Sequence, residues 1–311
     1  MELSVIIPVY NEEKNIALLH QRLTEVIQKI TSDYELVFVN DGSRDKTLEL
    51  VKSTAHQDSH IRYINFSRNF GHQIAVTAGL DHCSGDTIVI IDADLQDPPE
   101  MIAEMYSKMK AEGYDVVYAK RKSRKGETFM KKLTAKVFYR LLQRITSVHI
   151  PVDTGDFRII SRNIVDVLKE MPEQQKYLRG QIAWAGYKQT FIEYERQERH
   201  AGETGWPYRK MIRFALDGIT SFSNFPLKFA TASGIIVFCV SFFLILYALY
   251  SRFITREYVP GWASLMIVIL FMGGIQLLSI GIIGEYISRI SANVRNRPLY
   301  IIQETNIRKS E

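Results

Sequence analysis

The sequence predicts an α/β domain followed by a two-helix membrane hairpin. Residues 1–120 alternate short β-type runs with helical periodicity, residues 229–251 hold 23 positions without a charge, and residues 258–284 hold 27 more. Alternation of strand and helix calls for a parallel sheet covered on both faces. A helix needs about 20 apolar residues to cross about 30 Å of hydrocarbon, and both charge-free segments meet that length. A core helix that long would show a polar face, which neither has.

Leu3–Pro8 (LSVIIP) is a buried strand, and Ile16, Leu19, Leu23, Val26 and Ile30 then share one helical stripe. Glu35–Val39 is a second strand, with a helix over about 45–56, and Arg62–Asn65 a third, with a helix from about 71 to 82. Thr87–Ile91 is the fourth, followed by a helix opened by Pro98 and Pro99, and Asp115–Tyr118 is the fifth.

Lys228 and Arg252 bound the first apolar segment, and Glu257 and Glu285 bound the second. Tyr250, Tyr258 and Trp262 stand where an interfacial aromatic belt belongs. Arg209, Lys210, Arg213 and Lys228 precede the pair and Arg289, Arg295 and Arg297 follow it, against Arg252 and Arg256 between. That bias puts both termini in the cytoplasm, with the α/β domain over 1–205 and a basic juxtamembrane connector over 206–226. The first span then covers 227–251, an extracytoplasmic loop 252–261, the second span 262–287 and a cytosolic tail 288–311. The acidic start MELSVIIPVYNEE, with its short apolar run, does not have the form of a signal peptide. Two basic amphipathic stretches, 129–145 and 206–225, could pack on the sheet or lie in the membrane interface.

The 39 Lys and Arg against 34 Asp and Glu give a net charge of +5. Such a balance suits phosphate-bearing ligands or an anionic membrane; nucleic-acid binding would leave the two apolar segments and the acidic strand ends unexplained. Two cysteines cannot build a disulfide scaffold or a Cys-rich zinc site. The phosphate-cradling G-x-G-x-x-G and G-x-x-x-x-G-K-[ST] patterns are missing, as is H-E-x-x-H among the seven histidines, which are read as surface or packing residues.

Ligands of parallel sheets gather at the carboxyl ends of the strands. There the sequence places Tyr10-Asn11-Glu12, Asn40-Asp41-Gly42-Ser43, Ser67-Arg68-Asn69 and Asp92-Ala93-Asp94-Leu95-Gln96. An acidic rim repels a phosphate ligand unless a cation intervenes, and carboxylates with an amide oxygen are hard donors suited to Mg²⁺ or Mn²⁺.

The segments SVIIPVYNEEKNI, ELVFVNDGSRDKT, NFSRNFGHQIAVTAGLDH, GDTIVIIDADLQDPPE, TGDFRIISR, ALDGITSFSNFPL and IIGEYISRI together resemble the polyprenyl-phosphate glycosyltransferases. That family includes dolichol-phosphate mannose synthases and bacterial enzymes that load undecaprenyl phosphate with glucose. The resemblance implies a GT-A fold and metal-dependent, inverting transfer of a hexose from a nucleotide sugar to a polyprenyl phosphate at the membrane. Glucose from UDP-glucose leads, with UDP-N-acetylglucosamine and GDP-mannose as alternatives. A processive polysaccharide synthase would be expected to carry more spans and a Gln-x-x-Arg-Trp motif, where this chain has Gln181-Ile182-Ala183-Trp184.

Carried over by position, the resemblance puts Pro8, Tyr10, Glu12 and Asp41 in the nucleoside pocket and Asp92 on the nucleotide sugar. Asp94 and Gln96 would hold the metal, Arg121 and Arg199 would hold phosphate oxygens, and Asp156 would be the catalytic aspartate, as base or as organiser. Gly205 stands where many members carry lysine, so a phosphate contact is either missing here or supplied by Arg209 or Lys210. Gly273, Gly274, Gly281 and Gly284 suit close helix packing and a homo-oligomer.

Overall fold

In a computed structural model, residues 1–121, 154–195, 225–250, 253–254 and 261–307 are described. Strands β1 (Leu3–Val9), β2 (Tyr34–Asn40), β3 (Ile61–Phe66), β4 (Thr87–Ile90) and β5 (Val116–Arg121) alternate with helices α1 (Ile16–Ile27), α2 (Thr47–Gln57), α3 (His72–His82) and α4 (Met101–Glu112). Every residue of β1 and β2 is buried, as the near-continuous apolar runs of central strands require. Pro98 and Pro99 do open α4: their carbonyls accept the first helical amides, from Met101 and Ile102.

The sheet differs from the expected all-parallel one. After residue 153 come β6 (Thr154–Ser161), α5 (Arg162–Glu170), α6 (Leu178–Trp184) and β7 (Gln189–Tyr194). The eight strands run in the order β7-β5-β6-β4-β1-β2-β3-β8, where β8 is Ile302–Thr305. Strand β6 enters between β4 and β5 and is antiparallel to both. The first five strands still point one way, but β5 is displaced one place by a strand that follows the regular alternation. Strand β8, antiparallel to β3, comes from the tail.

Helix α7 (Phe225–Tyr250) and helix α8 (Trp262–Arg295) have 26 and 34 residues. At 1.5 Å per residue they are about 39 and about 51 Å long. Within them Phe225–Leu244 and Phe271–Arg295 have mean hydropathies of 2.0 and 1.3 and are almost wholly exposed, so both are long and apolar enough to cross a membrane. Helix α8 continues past residue 287, where the sequence placed the end of the span, to a left-handed Asn296 that stops it. A Cβ on Gly273, Gly274, Gly281 or Gly284 would meet nothing within 4 Å, so these glycines do not bring α8 against α7.

The returning tail docks firmly. Tyr300 stacks on Phe66 and donates its hydroxyl to Asp81. Glu304 pairs with Lys52 and accepts from the Tyr63 hydroxyl, and Asn306 bonds the backbone of Ile61 and Tyr63. At the foot of α8 the Asn293 side chain accepts the Gln174 amide. The α/β domain and the end of α8 therefore lie on one side of the hairpin.

Candidate active site

Four strand ends build the site. Beyond β1, Asn11 adopts φ +56°; its amide donates to the Ser43 hydroxyl and its side-chain oxygen accepts from Arg44. Those bonds tie the β1 end to the turn after β2. In that turn Gly42 has φ +68°, and a Cβ there would stand 2.6 Å from the Arg68 carbonyl carbon. Only glycine lets the loops after β2 and β3 approach so closely.

Asp41 is buried beneath this turn. Its carboxylate accepts the Phe70 amide at 2.6 Å and the Gly71 amide at 3.0 Å, fixing the entry to α3. Burial pushes its pKa up, against the pull of those amides. A cleft of about 350 Å³ opens above, lined by Tyr10, Asn40, Gly42 and Arg44 on one side and by Asn65, Arg68 and Gln303 on the other. Of the four residues expected in the nucleoside pocket, Tyr10 lines this cleft. Pro8 is interior to β1, Asp41 faces the α3 entry, and Glu12 accepts the Asn15 side-chain amide.

Beyond β4 lie Asp92, Asp94 and Gln96. Leu95 takes φ +58° with its side chain buried, an uncommon backbone for a bulky residue that is held in place by its surroundings. This kink separates Asp94 from Gln96, whose amide donates to Asp94 Oδ1 at 3.1 Å. Asp92 Oδ1 is buried and accepts no hydrogen bond. Burial, then like charge from Asp156, Asp97 and Asp94, pushes the Asp92 pKa up to about 6 against the pull of His72.

Asp156, on β6, receives several donors. Arg179 Nε lies 2.9 Å away, His72 Nε2 3.1 Å and Gln73 Nε2 3.2 Å, with Arg158 Nη2 at 3.6 Å. Although burial opposes ionisation, Arg179 and His72 hold its pKa well below the usual carboxylate range. His72 also lies 3.6 Å from Asp92, so one imidazole joins the β4 and β6 ends. Sequence pattern alone marks His72 as a surface or packing residue and gives no role to Gln73, Arg158 or Arg179, all four of which meet Asp156. His72 and Gln73 are accessible from the sequence, because a helix from about 71 begins at the carboxyl edge. Arg179 carries no such signal, since α6 lies in the gap between the TGDFRIISR and ALDGITSFSNFPL segments. Arg121 ends β5. Arg199, Gly205, Arg209, Lys210, the stretch 129–145 and all of 206–225 but Phe225 lie outside the described residues.

Desolvation opposes charge on His72, and the α3 amino terminus adds no support for it. The Asp92 and Asp156 carboxylates prevail and push its pKa up to about 9. A folded pKa above the ordinary 6.5 means that the stability His72 contributes is complete below about pH 6.5 and is lost as pH rises through about 9. Thermal melts from pH 6 to 10 should therefore show the wild type losing more stability on the alkaline side than His72→Gln. Parallel profiles for the two would contradict the linkage.

A family model described as glycosyl transferase family 2 matches residues 4–168, and one described as the GtrB C-terminal hairpin matches residues 225–290. The chain is 50% identical to the uncharacterized glycosyltransferase YkcC of Bacillus subtilis, over 98% of this chain and 94% of that one. It is 41% identical to a prophage bactoprenol glucosyl transferase homolog of Escherichia coli, covering 97% and 99% of the two chains. Among solved structures, glucosyl-3-phosphoglycerate synthase from Mycobacterium tuberculosis, in complex with Mn²⁺, UDP and phosphoglyceric acid, superposes with a TM-score of 0.52 at 18% identity. That superposition covers 70% of this chain and 76% of the other, and it shows a shared GT-A fold. With the motifs, the mixed sheet and the hairpin all accounted for, the chain belongs to glycosyl transferase family 2 and is a glycosyltransferase with a GtrB-type C-terminal hairpin.

Proposed function

We propose that this glycosyltransferase moves glucose from UDP-glucose to a polyprenyl phosphate of the undecaprenyl type at the cytoplasmic face of the membrane, with inversion. The observation that carries the reading is the joining of Asp92, beyond β4, to a cationic cluster around Asp156, in a domain tied to the foot of an apolar hairpin. Relatives named bactoprenol glucosyl transferase at about 40% identity, covering nearly all of both chains, support the sugar and the lipid acceptor. The Lys and Arg at the outer ends of the hairpin support the orientation.

Among the described residues no three His, Cys, Asp or Glu side chains form a ready cage for a metal. Mg²⁺ and Mn²⁺ do not need one when substrate phosphates complete the coordination. The Asp92 carboxylate is crowded by the like charges of Asp156, Asp97 and Asp94 even with the His72 imidazole 3.6 Å from its Oδ1, and that crowding fits a cation held by Asp94 and Gln96. When bound there, it would neutralise the charge that develops on the departing nucleoside diphosphate.

The chain's own groups do the rest. Asp156, kept ionised, holds Arg179, Arg158 and the His72 imidazolium in a fixed array facing the β4 carboxylates. So weak a base is poorly suited to abstract a proton, and a phosphate monoester acceptor, already anionic, does not need it to. Asp156 is thus an organiser, and Arg121 and Arg199 are assigned to phosphate oxygens. A charged phosphate oxygen can attack the anomeric carbon in one displacement, so an α-linked donor gives a β-linked product.

Membrane vesicles test direction and chemistry together. UDP-[¹⁴C]glucose, which does not cross the bilayer, should label polyprenyl phosphate in inside-out vesicles and not in right-side-out ones. Anomeric coupling constants should identify the β-phosphate. Labelling from the outer face would reverse the orientation, and an α-linked product would rule out single displacement.

A further inference from the structure

The cleft that accepts the nucleoside in this reading has one wall from outside the N-terminal domain. Gln303 lies 238 residues beyond Asn65, on the far side of the hairpin, yet both line the same cleft. Its position is set by an irregularity in the sheet. Strand β8 pairs Thr305 with Ile64 and Glu304 with Asn65, then shifts so that Ile302 faces Phe66, leaving Gln303 without a partner in the register. Bulges of this kind bend a strand and re-aim a side chain. Ile302 packs into the apolar cluster of Phe66 and Val39, whereas Gln303 is exposed to the cleft.

A relay of amides leads to it. The Ser43 hydroxyl donates to Asn40 Oδ1, Asn40 Nδ2 donates to Asn65 Oδ1 at 2.7 Å, and Asn65 Nδ2 reaches Gln303 Oε1 at 3.5 Å. Each amide fixes the sense of the next, and because Oε1 accepts from Asn65, the NH₂ of the exposed Gln303 is left without a partner among the described residues. A primary amide NH₂ offers donors only. The cleft lies on the opposite side of β1 from Asp92 and Asp94, as the two ends of a nucleoside diphosphate require when the metal and phosphates occupy the β4 end.

We propose that Gln303 is a donor-specificity residue, its side-chain NH₂ hydrogen-bonding a ring carbonyl of the nucleobase. The site then favours uracil or guanine over adenine, which presents no carbonyl. The assignment rests on the nucleotide-sugar reading above. It makes the tail strand a part of the nucleotide site.

Isothermal titration of the full-length chain in detergent micelles with Mg²⁺ tests it, using UDP, GDP, ADP and inorganic pyrophosphate as probes. Gln303→Ala should weaken the best-bound of UDP and GDP about tenfold, equivalent to about 1.4 kcal/mol. ADP and pyrophosphate should stay within about twofold, because neither offers the carbonyl. Glu304→Gln, which loosens the tail at Lys52 without touching the cleft, should leave UDP and GDP affinity within about twofold. Unchanged UDP and GDP affinity in Gln303→Ala, equal weakening of ADP, or an equal loss in Glu304→Gln would each overturn the assignment while leaving the donor reading intact. A wild-type chain that binds neither UDP nor GDP would remove both.

Discussion

Asp94→Ala should reduce sugar transfer by about a thousandfold, the range for removing one preorganised group that stabilises charge in a transition state. The leaving group in the proposed reaction is a nucleoside diphosphate, whose charge rises as the glycosidic bond breaks. Asp94 is the carboxylate assigned to the cation that meets that charge, and Gln96 alone offers only a neutral oxygen. The fold should survive, because the core beneath rests on fully buried β1, β2 and β4. The bond from the Gln96 amide to Asp94 Oδ1 is expected to contribute about 1 kcal/mol. Turnover measured over a Mg²⁺ and Mn²⁺ series, beside the melting temperature, separates the two effects. More than a tenth of wild-type activity in the mutant, or full wild-type activity in excess EDTA, would exclude the metal assignment.

Asp156→Asn should damage both stability and rate, for a different reason. The carboxylate is the shared counter-ion of Arg179 and His72, with Arg158 close by, and the Arg158 side chain is only 6% exposed. Removing one partner of a buried pair leaves the other charge uncompensated, at a cost of about 3 kcal/mol. The rate should fall about 100-fold as the cations lose their fixed positions. A distinctive mark is the histidine: without one of its two carboxylates, the alkaline loss of stability should move from about pH 9 toward lower pH. Single-turnover mass spectrometry should find no glycosylated protein. A trapped glycosyl-enzyme, or an alkaline limb that stays in place, would refute the organising role.

The first five strands and their helices were legible because period and burial coincide there: β1 and β2 are apolar throughout, and α1 shows a single buried stripe. The hairpin was legible from length alone. The insertion of β6 was not, since local pattern says nothing about which neighbour a strand chooses. Strand β8 was hidden more deeply, because only four residues of a polar tail (IQET) form it and its pairing lies about 240 residues away. In the site, Asp92 and Asp94 announced themselves by following an apolar strand, whereas Asp156 was marked only by the TGDFRIISR resemblance and lies within strand β6. Asp41 shows the limit of that signal. A carboxylate at a strand end can face the ligand or brace the next loop, and only the amides of Phe70 and Gly71 reveal which it does here.

The β8–β3 pairing has a consequence for the order in which a cell makes this protein. A ribosome delivers β1 to β7 first, then both apolar helices, and only afterwards the strand that covers β3. Until then β3 presents an open row of amides and carbonyls, the kind of edge that recruits other chains. The nascent α/β domain therefore waits, incompletely sheltered, while the hairpin is inserted. Because Gln303 arrives with the covering strand, that same delay postpones the finished cleft, so chains stalled or cleaved between residues 225 and 300 would have the carboxylates beyond β4 and on β6 in place and one wall missing.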